Sequence, residues 1–130
     1  MSTHYQLICG GRDFCDERWM EAHIERMVTL CESRSKEFVV VEGAARGADL
    51  LAGSTARSRK LRVVEIPADW ERLGKRAGFA RNELMASFLL REIRNGASGD
   101  VVAFPGGRGT QHMRDHSRSV GLKVFSPKPV

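Results

Sequence analysis

Apolar residues along this chain come in short unbroken runs, separated by stretches in which they recur every three or four positions. The first run, residues 5–9, ends at Gly10-Gly11 and predicts a buried strand entering a tight turn. From Asp16, placed as an N-cap, Met20, Ile24, Met27, Val28 and Cys31 keep helical spacing, while Glu21, Glu25, Arg26 and Glu32 fall on other faces. The unit then repeats. Residues 38–41 form a β-branched run closed by Glu42-Gly43, and Ala48, Leu51, Ala52, Thr55 and Ala56 return to the helical period. Residues 61–66 predict a third strand stopped by Pro67, and Ala77, Ala80, Leu84, Phe88 and Leu89 a helix reaching Ile93. After a polar loop at 95–99 come a strand at 101–104, a glycine turn at 105–109, a helix at 110–119 and a last strand at 123–125.

Strands that are apolar without alternation, each followed by an amphipathic helix, are the pattern of a parallel sheet covered on both faces. The predicted class is α/β: a Rossmann-like three-layer sandwich with a mostly parallel sheet of about five strands. A chain of 130 residues is enough for one such core and too short for two, so residues 1–130 are read as a single domain.

Composition changes this picture little. With 42% hydrophobic and 28% charged residues the chain is an ordinary globular one. Cys9, Cys15 and Cys31 are odd in number and form no Cys-x-x-Cys pair, which points away from a disulfide framework and a zinc site and toward a reducing cytoplasm. His4, His112 and His116 have no metal-ligand spacing and are read as surface residues; no metal is expected. No apolar stretch approaches the roughly 20 residues needed to cross a bilayer, and no signal-like start is present, so neither membrane insertion nor secretion is expected. The formal charge of +5 favours anionic partners without naming one.

In a parallel sheet the strand-to-helix loops emerge together at the carboxyl edge. Here those loops are Gly10-Gly11-Arg12-Asp13, then residues 42–49 (EGAARGAD), then Asp69-Trp70 leading to Lys75-Arg76-Ala77-Gly78, and finally residues 105–110 (PGGRGT). Three are rich in glycine and all carry a cation. Glycine lets backbone approach a ligand, and the helix that follows offers free N–H groups and a partial positive charge, so phosphate is the natural guest. A tight turn alone would explain the glycines of any one loop; three on one rim call for more. Neither familiar nucleotide fingerprint is complete. No Gly-Lys-Ser/Thr occurs, and the first strand is not followed by G-x-G-x-x-G.

Gly10-Gly11-Arg12-Asp13-Phe14, the segment from Glu42 through Gly43, Ala44, Ala45, Arg46, Gly47 and Ala48 to Asp49, Arg81-Asn82, and Pro105-Gly106-Gly107-Arg108-Gly109-Thr110 together resemble the SLOG superfamily, in particular its small stand-alone bacterial and phage members. The resemblance spans nearly the whole chain. It implies a Rossmann-like fold and a nucleotide-type ligand, because the superfamily includes the lonely-guy phosphoribohydrolases, the Smf/DprA DNA-processing proteins and nucleotide sensors of bacterial immunity. It also implies a homodimer, with which the apolar Phe88-Leu89-Leu90 is compatible, although a monomeric core explains those residues nearly as well. In the phosphoribohydrolase branch the pattern Pro-Gly-Gly-x-Gly-Thr-x-x-Glu supplies a catalytic glutamate. The matching position here is Met113, whose thioether can neither give nor take a proton.

The residues expected to hold ligand are therefore Gly10, Gly11, Arg12, Gly43, Arg46, Gly47, Asp49, Arg81, Asn82, Pro105, Gly106, Gly107, Arg108, Gly109 and Thr110. Arg81, matching an arginine that contacts substrate in the hydrolase branch, is placed to pair with a phosphate in a bidentate way. Among the acids, Asp49 and Glu42 are the catalytic candidates, with Asp69, Glu83 and His112 behind them and capping or turn formation as their plain alternative. Trp70 either stacks on a base or fills the core, the second being favoured. Three functions follow: binding or sensing of a nucleotide or ADP-ribose-like ligand; hydrolysis of an N-glycosidic or phosphate-ester bond; and DprA-like nucleic-acid binding through Arg57, Arg59, Lys60 and Arg62.

Overall fold

The structure is a computed structural model and describes residues 2–130. Its elements run β1 (Ser2–Cys9), α1 (Glu17–Ser33), β2 (Lys36–Glu42), α2 (Ala48–Ser58), β3 (Arg62–Glu65), α3 (Trp70–Leu73), a 3-10 turn (Gly74–Arg76), α4 (Ala77–Arg94), β4 (Ser98–Ala103), α5 (Arg108–Ser119) and β5 (Val124–Phe125). The five strands form one sheet in the order β3-β2-β1-β4-β5, and every pairing is parallel.

Side-chain alternation along the strands divides the core in two. Tyr5, Leu7 and Cys9, with Val39, Val41, Val101 and Ala103, face α4 and α5, where Met85, Ala86, Leu89 and Met113 close the layer. Ile8, Val40, Val102 and Phe104 face the other way, onto Met20 and Ile24 of α1 and Ala48, Ala52 and Ala56 of α2. The three alanines let α2 lie close to the sheet. Helix α1 starts where expected, the Asp16 carboxylate accepting from the Trp19 amide at 3.1 Å.

The structure corrects several sequence expectations. The polar loop before the fourth strand is shorter than predicted: Ser98 and Gly99 belong to β4 and pair with His4 and Tyr5. The segment after Pro67 is a turn of helix and a 3-10 turn, with Asp69 capping α3 through the Arg72 amide. On α4 the buried stripe is Ala77, Asn82, Met85, Ala86 and Leu89, which leaves Leu84 60% exposed. Phe88 and Leu90 pack against the molecule's own core, Phe88 meeting Tyr5 edge to face with centroids 5.4 Å apart. Trp70 does not fill the core; it is 51% exposed. His4 and His112, read as surface residues, are half-buried.

Because β2 and β4 lie on opposite sides of β1, the helices that follow β1 and β4, α1 and α5, leave the sheet edge toward opposite faces. Such a switch point leaves a crevice at the carboxyl ends of the strands.

Candidate functional site

The crevice is real and sizeable. A cleft of about 890 Å³ opens between the β1, β2 and β4 loops and the start of α4, within the range of small-molecule sites. Beside it lies a second lobe of about 550 Å³, and Arg12, Ala45, Trp70 and Arg81 line both.

Three glycine loops are stitched into one rim. The Gly11 amide donates to the Pro105 carbonyl at 2.8 Å, and the Ala48 amide donates to the Gly11 carbonyl at 3.1 Å. Such close approach excludes side chains. A Cβ on Gly11 would stand 3.0 Å from the Gly106 Cα, and Gly47, at φ +89°, holds a conformation that glycine adopts without strain. Gly107 and Gly109 are different. A Cβ on either would meet no atom of the described residues within 4 Å, and neither has a positive φ. They sit at the cap and in the first turn of α5, bordering the cleft.

Under this rim, Arg81 and Asn82 tie the loops to α4. Arg81 Nη1 donates to the Gly43 carbonyl at 2.6 Å and its Nε to Asn82 Oδ1 at 3.0 Å, while Asn82 Nδ2 donates to the Gly109 carbonyl at 3.2 Å. Arg81 therefore spends donors on the protein, while its Nη2, near Gly78, makes no hydrogen bond among the described residues, and the side chain lines the cleft. Arg12 lies over Trp70, its guanidinium carbon 5.9 Å from the ring centroid. Arg46 reaches back to the Arg12 carbonyl and to Asp13, and so lines only the smaller lobe. Arg108 is exposed at the cleft and makes no ion pair among the described residues.

The acidic candidates separate. Asp49 is buried on the floor of the cleft, accepting from the Ala45 amide at 3.3 Å; burial raises its carboxyl to about 6 against the pull of Arg81. Glu42 is fully buried beneath α2, where a Cβ on Gly53 would meet its Oε2 at 2.7 Å, and it lines neither lobe. Its Oε1 accepts from the Ala44 amide at 2.5 Å, and burial, followed by nearby Glu65, pushes the group up to about 8. Asp69 caps α3, and Glu83 is exposed and reaches His112 at 3.9 Å. Met113 is fully buried, packed with Met85 and closing the floor. Cys9 also lies there, and burial pushes its thiol up to about 12, so it offers no thiolate near neutral pH.

Sequence reasoning missed one feature. Phe79, 47% exposed, stands at the cleft mouth with its ring stacked on His112, centroids 4.1 Å apart and planes 19° from parallel. Burial and the neighbouring His116 lower the His112 imidazole, and its Nδ1 is 3.1 Å from Asn82 Nδ2. The available signal was an aromatic off the buried stripe of α4, two residues before Arg81.

Comparison with known proteins fits this geometry. Residues 7–73, just over half of the chain, match the family described as YAcAr, the YspA, cpYpsA-related SLOG family. The chain belongs to that family. A relative of this SLOG protein, the Gene 61 protein of Mycobacterium phage D29, is 39% identical over 101 residues, covering 70% of this chain and 74% of its own. The X-ray structure of DNA processing protein A (DprA) from Streptococcus pneumoniae superposes with a TM-score of 0.54 at 18% identity, over 94% of this chain. That likeness establishes the fold, and this SLOG chain spans 58% of the DprA chain. Among the described residues no helix is long and apolar enough to cross a membrane, and no group of three or more His, Cys, Asp or Glu is placed to hold a metal ion.

Proposed function

We propose that the chain acts as one domain that binds a phosphate-bearing nucleotide or nucleotide-derived ligand, of ADP-ribose-like size, at the carboxyl edge of its sheet. The observation that carries this reading is the pair Gly107 and Gly109: neither packing against the rest of the protein nor a positive φ requires glycine there, yet both border the cleft at the start of α5. Bare backbone at a helix N-terminus, with Arg108 unpaired beside it and Arg12 opposite, suits a phosphate. Trp70 and Phe79, both exposed at the cleft, give a base two faces to stack on. Membership of a SLOG family supports a role connected with nucleotides or nucleic acids.

The test is a thermal-shift screen with adenine and guanine nucleotides, ADP-ribose, cyclic ADP-ribose isomers and NAD, each stabilising ligand then recovered and weighed by mass spectrometry. A ligand that stabilises the wild type, fails with Arg108→Ala and returns unchanged supports binding. No stabilisation by any of them overturns it.

A hydrolytic reading has one specific support, the desolvated Asp49 carboxyl on the cleft floor, raised to about 6 and thus suited to proton transfer near neutrality. Recovery of a cleaved ligand, with cleavage lost in Asp49→Asn, would favour it. The nucleic-acid reading has less support, because Arg57, Arg59 and Arg62 are occupied by Glu65, Glu25 and Glu37 at 3.3 to 3.4 Å.

A further inference from the structure

On the opposite face of the sheet, away from the cleft, a chain of buried and half-buried polar side chains runs where apolar ones would pack. His23 of α1 is buried and its Nε2 donates to Gln6 Oε1 at 2.7 Å; Gln6, 1% exposed on β1, donates through Nε2 to Asp100 Oδ1 of β4 at 2.8 Å. The other Asp100 oxygen lies 3.4 Å from His4 Nε2. His4 Nδ1 in turn meets the Ser98 hydroxyl at 2.7 Å, and Lys36 Nζ donates to the same hydroxyl at 2.9 Å. A linked set of this kind is costly to bury and rigid once formed.

The chain forms the floor of a cavity of about 470 Å³ between α1 and the residues after β5. One wall is apolar: Met27 and Leu30 on α1 face Val102, Phe125 and Pro127, and Phe125 is half exposed. The rim is cationic: Arg26, Arg34 and Lys128 line it without an ion pair among the described residues, and Lys36 is held only by Ser98. Four cations therefore face one carboxylate, Asp100, across a cavity of ligand size.

We infer that this cavity is a second ligand site, distinct from the nucleotide cleft, which takes a small organic anion with an apolar body and one N–H or O–H group. Its carboxylate or phosphate meets the rim of Arg26, Arg34, Lys36 and Lys128. Its apolar body lies between Met27 and Phe125, and its donor reaches Asp100 Oδ2, the oxygen Gln6 does not engage and which lies 3.4 Å from His4 Nε2. Gln6 and His23 act as positioning residues: with Gln6 Nε2 committed to Asp100, its Oε1 must accept, which fixes the proton on His23 Nε2 and holds the floor in one arrangement. His23 stays neutral in this role, since burial and then Arg26 lower it to about 4.

The experiment is titration of the 15N-labelled full chain with benzoate, 4-hydroxybenzoate and phenyl phosphate, followed by amide and side-chain shifts. The expected result is saturable perturbation at Gln6, His23, Asp100 and Phe125, with 4-hydroxybenzoate tighter than benzoate and the phosphate arm telling which anion the rim prefers. Arg26→Ala/Arg34→Ala should weaken binding roughly fivefold or more by removing two charge-assisted contacts, and Asp100→Asn should abolish the advantage of the hydroxyl. Arg108→Ala, at the other cleft, should leave these titrations unchanged. Shifts confined to the nucleotide cleft, shifts that grow linearly without saturation, or affinities indifferent to the arginine pair would each overturn the proposal.

Discussion

Asn82 holds the carbonyl of Gly109 at 3.2 Å, joining α4 to the first turn of α5 from beneath the cleft. The same side chain receives Arg81 Nε on its other end, so one buried amide sets both the arginine and the glycine turn. Asn82→Ala strands the Arg81 Nε–H and frees the Gly109 carbonyl. The expected loss is about 1–3 kcal/mol in urea unfolding, the usual cost of leaving buried partners unpaired. Ligand stabilisation in the thermal-shift screen should fall with it, and by more than in Asn82→Asp, whose carboxylate still accepts from Arg81.

Filling the empty space over α5 gives the converse result. Gly109→Ala adds a methyl that meets nothing in the protein and replaces glycine in a helical turn, so stability should rise by about 0.5–1 kcal/mol. Affinity for a phosphate-bearing ligand should drop at the same time. Calorimetry with the ligand found in the screen, beside thermal unfolding of the free protein, reads both signs; equal affinity in the variant would remove the argument for a bare-backbone site.

Asp49 makes stability depend on pH in a stated direction. Its folded value of about 6 lies above the ordinary 3.8, so between those values the folded state binds more protons than the unfolded one, and stability falls as pH rises through that window. Glu42, raised further by burial, extends the decline toward pH 8. Urea midpoints measured from pH 4 to 8 should decrease, less steeply below pH 6.5, where His23, held down to about 4, contributes the opposite slope; Asp49→Asn should flatten the lower half of the curve and Glu42→Gln the upper half. A rise in midpoint across this range would show the carboxyls to be otherwise placed.

Restoring the glutamate of the hydrolase pattern should not create an enzyme. Met113 is fully buried in one apolar layer with Met85, and Met113→Glu puts a carboxyl among apolar neighbours. A loss of about 2–4 kcal/mol is expected from chemical unfolding, with no gain of turnover on nucleoside monophosphates.

The strand and helix order was legible because parallel strands buried on both faces print as unbroken runs, and β2, with its Phe38 and three valines, is the clearest case. The rim was legible too, since glycine beside arginine has few other uses. What escaped had physical causes. Ser98 and Gly99 join β4 because backbone pairing with His4 and Tyr5 overrides their poor strand propensity. Trp70 and Phe79 belong to the cleft, yet an aromatic in a strip of sequence looks the same whether a core or a ligand is to cover it. Glu42 and Asp49, seven residues apart, read alike as acids at a loop. Only the packing of α2 sends one beneath the helix and the other to the cleft floor.

The amide contacts of Gly11 with Pro105 and of Gly11 with Ala48 draw on the first, second and fourth strand-to-helix loops. The first cannot form until β4, the last long strand, has docked beside β1, so the rim is completed by a contact between distant parts of the chain, the kind that closes late in folding. The cleft is thus closed only once β4 is in place. During synthesis, a chain that has not yet delivered residues 98–110 holds the segments of α1 to α4 but lacks the loop that closes the cleft.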